Sequence, residues 1–280
     1  MKLEFLVTAV FVASLMVGTA ASAQEVAASC DDVNIRMGDR MTVKGEDRLA
    51  IGGRTLSIRL GEEKGLPLKV VGSSRSGYEV LLCKAAADGA TLGAIRLAQR
   101  GTEITVDGPA GETWGGVLLV LAPTDADLDL EMSNGPVSVT DLAGRLRATV
   151  ANGPLSLKRV GGTVDVQSSN GPVSFTGSSG EVSIVSQNGP LSIKLESSIW
   201  TGGELRTSAK NGPVTLKVPA GYSSGIVVER GAKTPLRCPV SLCGERPAFF
   251  RDEQTRIEMG SGPARVHVAA KNGPISIKEE

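Results

Sequence analysis

The tripeptide Asn-Gly-Pro occurs six times in this chain, beginning at Asn134, Asn152, Asn170, Asn188, Asn211 and Asn272, and the first four copies stand 18 residues apart. Self-similarity at a fixed period is the signature of a repeat architecture. Behind every copy comes the same pattern, apolar, Ser or Thr, apolar. It reads Val137-Ser138-Val139, Leu155-Ser156-Leu157, Val173-Ser174-Phe175, Leu191-Ser192-Ile193, Val214-Thr215-Leu216 and Ile275-Ser276-Ile277. Each is a turn followed by a strand with one apolar face.

A second inward row recurs later in each period, at Leu146/Ala148/Val150, Val164/Val166 and Val182/Ile184, with Gly144, Gly162 and Gly180 at one register before it. Each period is therefore strand, turn, strand, turn. A unit this small cannot bury its own apolar face, so successive units must stack. The chain has 35 glycines and only 3% aromatic residues, a composition that suits a thin core filled rung by rung. The expected fold is all-β: a β-solenoid, β-helix or β-roll-like, with about 18-residue rungs of two short strands.

The turn chemistry fits corners of such a stack. Gly135, Gly153, Gly171, Gly189, Gly212 and Gly273 each follow an Asn, and Asn-Gly accepts positive φ, while the Pro behind it removes a donor where a corner has no ladder partner. Stacked Asn side chains can hydrogen-bond along the corner. The six Asn residues are thus expected to be structural.

The regularity breaks in two places. Between Asn188 and Asn211 five extra residues fall around Trp200-Thr201-Gly202-Gly203, read as a bulge on the wall with Trp200 exposed and a candidate for glycan contact, a core-filling role for the ring being an equal alternative. From Arg230 to Asp252 the sequence carries three prolines and two cysteines, read as a disulfide-pinned excursion. Ile257, Met259, Val266 and Val268 then rejoin the stack, and Ser261-Gly262-Pro263 reads as a degenerate copy of the turn. Residues 24–107 lack the repeat; they suggest short strands at Thr55–Leu60, Tyr78–Leu82 and Glu103–Val106, with a short helix near Leu92–Gln99. The expected organisation is a signal peptide over 1–23, an N-terminal β-rich cap over 24–107, and the repeat domain over 108–280.

Residues 1–23 combine Lys2, an apolar run from Phe5 to Val17 and Ala21-Ser22-Ala23, the layout of a cleaved secretory signal. No later stretch is apolar enough for a membrane span. The expected location is outside the cytoplasm: periplasm, cell surface or secreted. Four cysteines in an exported chain usually pair. Three pairings exist, and sequence proximity favours Cys30 with Cys83 and Cys238 with Cys243; lipidation of Cys30 is the weaker reading.

Evidence for chemistry is thin. Thirty basic and thirty acidic side chains cancel, which removes the basic signature of a nucleic-acid binder. His267 is the single histidine, so His-pair metal sites are excluded and His267 reads as a surface-facing structural residue. No metal, cofactor or catalytic residue is expected. Asp125, Asp127, Asp129 and Glu131 alternate along one strand face, a row that could hold Ca²⁺ weakly or serve acid/base chemistry; a solvated face that opposes edge pairing is the simpler reading. Lys158, Lys194 and Lys217, with Lys278, form a mild basic stripe beside the Ser/Thr row and are candidate binding residues for an anionic envelope polymer; a solvated sheet face on which Lys opposes aggregation is the simpler reading.

Leu121-Ala122-Pro123 to Asn134-Gly135-Pro136, the repeats that follow, Val218-Pro219-Ala220-Gly221-Tyr222, and the end from Met259-Gly260-Ser261-Gly262 to Ile277 resemble the bacterial putative-adhesin family, a domain of unknown function. The resemblance spans roughly Trp114 to Lys278 and implies an exported β-solenoid. It carries no catalytic residues over, and the cysteine-bearing excursion departs from its pattern. The function expected is that of a non-enzymatic envelope or surface protein with a structural or interaction role, its partner an envelope polysaccharide or another envelope protein. The alternative is a polysaccharide-acting lyase or hydrolase that uses outer carboxylates such as Asp127 and Asp129.

Overall fold

The computed structural model describes residue 30 and residues 43–61, 65–232, 234–238, 243, 249–250 and 255–280. The expected signal peptide and most of the interior of the cysteine-bearing excursion lie outside the described residues. Ahead of the repeats come β1 (Val43–Ile51), β2 (Thr55–Leu60), β3 (Leu68–Ser73), β4 (Tyr78–Ala86), the short helix α1 (Gly89–Ala94), β5 (Arg96–Arg100), β6 (Glu103–Asp107) and β7 (Trp114–Pro123). The repeats supply strand pairs: β8 (Asp127–Asn134) with β9 (Val137–Thr140), β10 (Arg145–Asn152) with β11 (Leu155–Lys158), and β12 (Thr163–Asn170) with β13 (Val173–Gly177). Two further pairs are β14 (Glu181–Asn188) with β15 (Leu191–Leu195), and β16 (Leu205–Asn211) with β17 (Val214–Val218). The chain ends with β18 (Gly225–Arg230), β19 (Leu236–Arg237), β20 (Phe249–Phe250), β21 (Arg256–Met259), β22 (Ala264–Asn272) and β23 (Ile275–Glu279).

The protein is all-β, built on two large mixed sheets, one of twelve strands and one of eleven. From β8 to β17 the chain alternates between them, even-numbered strands in the smaller sheet and odd-numbered strands in the larger. Neighbours within each sheet are parallel and in register: Leu128, Leu146, Val164 and Val182 form one line, and Val137, Leu155, Val173 and Leu191 another. The pairing offset equals the sequence period, so every side chain meets its own equivalent on the next strand. Antiparallel pairs (β1 with β4, β4 with β7, β5 with β6, β18 with β21, β19 with β20) occur towards the two ends.

Packing follows from the alternation. On β10 the inward Leu146, Ala148 and Val150 are buried while Arg145, Arg147 and Thr149 face out. Leu155, Leu157 and Val160 complete that layer from the opposite sheet side. Each such Leu or Val contributes on the order of 1.5–3 kcal/mol by burial, so stability accumulates layer by layer rather than at one centre.

The structure adds to or departs from the sequence reading at four places. The helix expected near Leu92–Gln99 ends at Ala94, because Asp88 caps its start by accepting from the Thr91 amide at 2.8 Å, and Arg96–Arg100 is strand. β2 and β3 lack the repeat yet pair in parallel register with β8 and β9, Leu56 beside Leu128 and Leu68 beside Val137. Ser261-Gly262-Pro263 is no copy of the Asn-Gly-Pro turn: Pro263 precedes β22 in the smaller sheet, whereas every Asn-Gly-Pro precedes a strand of the larger one. Finally, spatial order departs from chain order at the end. β22 and β23 lie between the pair β16/β17 and the pair β18/β19, so the last strands are interior.

Cys30 is bonded to Cys83, with Cα atoms 5.4 Å apart, and Cys238 to Cys243, at 6.2 Å. The second bridge packs against the Met259 thioether. Among the described residues no helix is long and apolar enough to cross a membrane.

Candidate functional site

At the Asn-Gly-Pro corner the six Asn side chains form a continuous ladder. Asn152, Asn170, Asn188, Asn211 and Asn272 each donate from Nδ2 to the Oδ1 of the preceding Asn, at 2.9 to 3.1 Å. The intervening glycines hold φ between +108° and +142°, a region that side chains with a Cβ rarely enter. A Cβ added at Gly171 would lie 2.7 Å from the Gly153 carbonyl carbon and closer still to its oxygen. The corner admits glycine alone.

Immediately beyond the corner, proline carbonyls continue the ladder. The amides of Val137, Leu155, Val173 and Leu191 donate to Pro154, Pro172, Pro190 and Pro213 at 2.9 Å, and since proline has no N–H, no donor is stranded. Pro67 and Pro235 serve the same column, although neither sits in an Asn-Gly-Pro: Leu118 donates to Pro67 and Ile275 to Pro235. The signal available was the pattern Pro-apolar-x, visible at Pro67-Leu68-Lys69 and Pro235-Leu236-Arg237. Pro67, Pro136, Pro154, Pro172 and Pro190 border a shallow open groove of about 470 Å³ on the outer face of the larger sheet.

Two polar columns run beside it. Ser138, Ser156, Ser174, Ser192, Thr215 and Ser276 are consecutive register partners, as are Thr140, Lys158, Thr176, Lys194, Lys217 and Lys278. Neighbours within a column sit about 4.8 Å apart. Lys158 is exposed. Lys194 and Lys217 both engage the Glu280 carboxylate. Their hydrogen bonds, that from Lys194 first, hold Glu280 down at about 2, and the same contact raises Lys194. The basic stripe is thus partly neutralised at its centre, which its lysines alone did not disclose. Alongside it, the Arg159 guanidinium is pushed up by its hydrogen bond to Asp141.

The carboxylate row faces outward from the smaller sheet. Asp127, Asp129 and Glu131 alternate with buried Leu128, Leu130 and Met132. Asp125 is ion-paired to Arg54 and Glu131 to Arg59, whose Nε also reaches Glu103 at 2.8 Å. The register places Arg145 beside Asp127, and Arg147 between Asp129 and Asp165. Charges of opposite sign therefore alternate across the strands, which stabilises a sheet face. Among the described residues, no three His, Cys, Asp or Glu side chains come together as metal ligands.

His267 lies on β22, half-buried rather than fully surface-facing, with Arg206 as its register partner. Its Nε2 is 3.5 Å from Glu204, which is already ion-paired to Arg206, and among the described residues that nitrogen has no hydrogen-bond partner. Thr207 Oγ1 directs its proton to the His267 carbonyl oxygen at 3.2 Å. A base paired with a nucleophile, the minimum for covalent catalysis, is not formed at this nitrogen.

The expectation that Trp200 is exposed is overturned. Only 4% of it is accessible; its ring packs tilted against Phe175 with centroids 6.2 Å apart, and Nε1 donates to the Gly180 carbonyl at 3.0 Å. The five extra residues turn the indole inward, where Phe175 and the Gly180 carbonyl receive it. Ile199 beside it, 47% accessible, is the exposed apolar residue of the bulge.

No family model matches the sequence, and no curated protein is similar to it. Among solved structures the chain is similar to a putative adhesin from Bacteroides fragilis, at 9% identity and a TM-score of 0.39, covering 86% of this chain and 99% of that one. It is also similar to a putative cell adhesion protein from Clostridium sporogenes, at 10% identity and a TM-score of 0.33, covering 85% and 100%. A third is a putative lipid binding protein from Parabacteroides distasonis, at 11% identity and a TM-score of 0.35, covering 85% and 96%.

Proposed function

We propose that this chain is an exported, non-enzymatic β-solenoid whose open Pro/Ser/Lys face docks onto an envelope polymer or another envelope protein. In this reading residues 24–107 cap one end, residues 108–280 form the stack, and the disulfides suit an oxidising compartment. The observation that carries it is the in-register column arrangement. A Ser/Thr column and a Thr/Lys column each recur at strand spacing over six strands, a surface that suits a long repetitive partner better than a small substrate. The carboxylates of the alternative, enzymatic reading are answered by Arg54, Arg59, Arg145 and Arg147 on an open face, whereas glycoside chemistry needs two carboxyl groups converging on one bond.

The test is binding of the mature chain to purified envelope polysaccharide, comparing wild type with Lys158→Glu and Lys278→Glu. Salt-sensitive retention that both variants weaken supports the proposal. Uniformly blank binding to envelope fractions counts against it, and appearance of new reducing ends or unsaturated sugars would replace it with the enzymatic reading.

A further inference from the structure

We propose that Cys238, Cys243 and Met259 form a redox-gated site for a soft monovalent metal ion, Cu(I), at one end of the stack. Met259 Sδ lies 3.2 Å from Cys243 Sγ and 3.9 Å from Cys238 Sγ. All three residues are buried, none more than 5% accessible. Two thiolates and a thioether in one apolar place are a soft donor set, and soft sulfur ligands select Cu(I).

Two observations set this cluster apart from ordinary core filling. The first is where the thioether stands. Met259 ends β21 and is the register partner of Ile226, which pairs with Val266, which pairs with Leu205. The other members of that inward column are branched aliphatic residues, and sulfur takes their place on the strand that touches the cysteine pair. The second is the span of the bridge. Cys238 and Cys243 are 5 residues apart, against 53 for Cys30 and Cys83. Loop-closure entropy grows with loop length, so the short bridge is the weaker staple. When it opens, Cys238 stays anchored behind β19, where Leu236 pairs with Ile275 and Arg237 with Ser276.

The geometry is close to what the ion requires. A trigonal ion with metal–sulfur bonds of about 2.3 Å needs its sulfurs about 4.0 Å apart. The Cys238–Met259 edge is 3.9 Å, and the Cys243–Met259 edge has to widen by about 0.8 Å to match. The Cα atoms of the two cysteines, 6.2 Å apart, leave room for their sulfurs to separate once the S–S bond is gone.

The gate balances with an external dithiol. One of its thiolates attacks a sulfur of the bridge, its second thiol resolves the mixed disulfide, and it leaves as a cyclic disulfide. Two electrons and two protons pass to Cys238 and Cys243. Cu(I) then displaces both thiol protons to solvent and keeps its oxidation state. Met259 has no proton to lose. In the oxidised chain the cysteines offer no thiolate, and the site is closed.

The test reduces the mature chain anaerobically with a phosphine, removes the phosphine, and titrates Cu(I) against a chromogenic Cu(I) chelator. Wild type, Cys238→Ser/Cys243→Ser and Met259→Leu run in parallel, with circular dichroism following the fold. The double variant reports whatever Cys30 and Cys83 bind. Reduced wild type should retain one Cu(I) per chain more than the double variant, and more than oxidised wild type. X-ray absorption at one equivalent should find three sulfurs around the copper. Met259→Leu keeps both thiols and the core volume, so it decides the matter even if the double variant does not fold. It should weaken binding by roughly tenfold or more, at least the loss that follows removal of a supporting group around a metal. Equal copper in reduced wild type and the double variant, equal uptake before and after reduction, unchanged affinity in Met259→Leu, or loss of the β-sheet signal on reduction of wild type overturns the proposal.

Discussion

Replacing Gly171 by Ala tests the corner most directly, because two separable costs act there. Gly171 has φ of +131°, and a non-glycine residue forced into such a region costs about 1–3 kcal/mol. The new Cβ would also press on the Gly153 carbonyl, with 2.7 Å to its carbon, so two neighbouring corners must separate or the Asn ladder must bend. Gly221 isolates the first cost: its φ is +70°, and an added Cβ would meet nothing within 4 Å. We expect Gly221→Ala to cost about 1 kcal/mol and Gly171→Ala to exceed about 3 kcal/mol once steric displacement is added. At roughly 2–4 °C per kcal/mol for a chain near this size, thermal denaturation should fall by a few degrees in the first variant. In the second it should fall by about 6–12 °C or more. Calorimetry on both proteins decides the matter. If Gly171→Ala loses no more than Gly221→Ala, the close approach of successive corners is not a constraint and the account of the turn is wrong.

The inward Ser168 and Ser186 are buried, adjacent in register, and their hydroxyls have no partner among the described residues; Ser168→Ala and Ser186→Ala should each leave urea stability unchanged or raise it by about 1 kcal/mol, and a clear loss would mean the hydroxyls are satisfied. Glu280, held at about 2 against an ordinary 4.5, makes its contribution in full above pH 4.5 and loses it as pH falls towards 2. An acid titration of Glu280→Gln should therefore show a shallower decline across that window than wild type, and coincident curves would show that the Lys194 and Lys217 contacts add nothing in solution.

The repeated part of the fold was legible because one number, the period, governs both sequence and pairing. Asn152 and Asn170 stand 18 residues apart and are also register partners, so alternation could be read directly as inward and outward columns. β2 shows where that legibility ends. Thr55–Leu60 alternates like any half-buried strand, but without an Asn-Gly-Pro nothing announces that Leu56 belongs beside Leu128. Trp200 differs: an irregular insertion has no periodicity to orient its side chains, and only the tertiary contacts with Phe175 and the Gly180 carbonyl show that the indole turns in. The surface was legible in composition but not in charge, since Glu280 is far from Lys194 in sequence and reaches it only through the order of the sheets.

The out-of-order position of β22 and β23 also bears on how the molecule is completed. As the chain is made, β8 to β17 can add to a growing stack one strand at a time, each on the strand just laid down. β18 and β19 cannot, because the neighbours they require, β22 and β23, do not yet exist. Until then β18 can wait paired with β21, and β19 with β20. Assembly that is sequential for most of the chain thus becomes conditional on its last residues, and a nascent or truncated chain ending before Ala264 would hold these pairs with nowhere to attach.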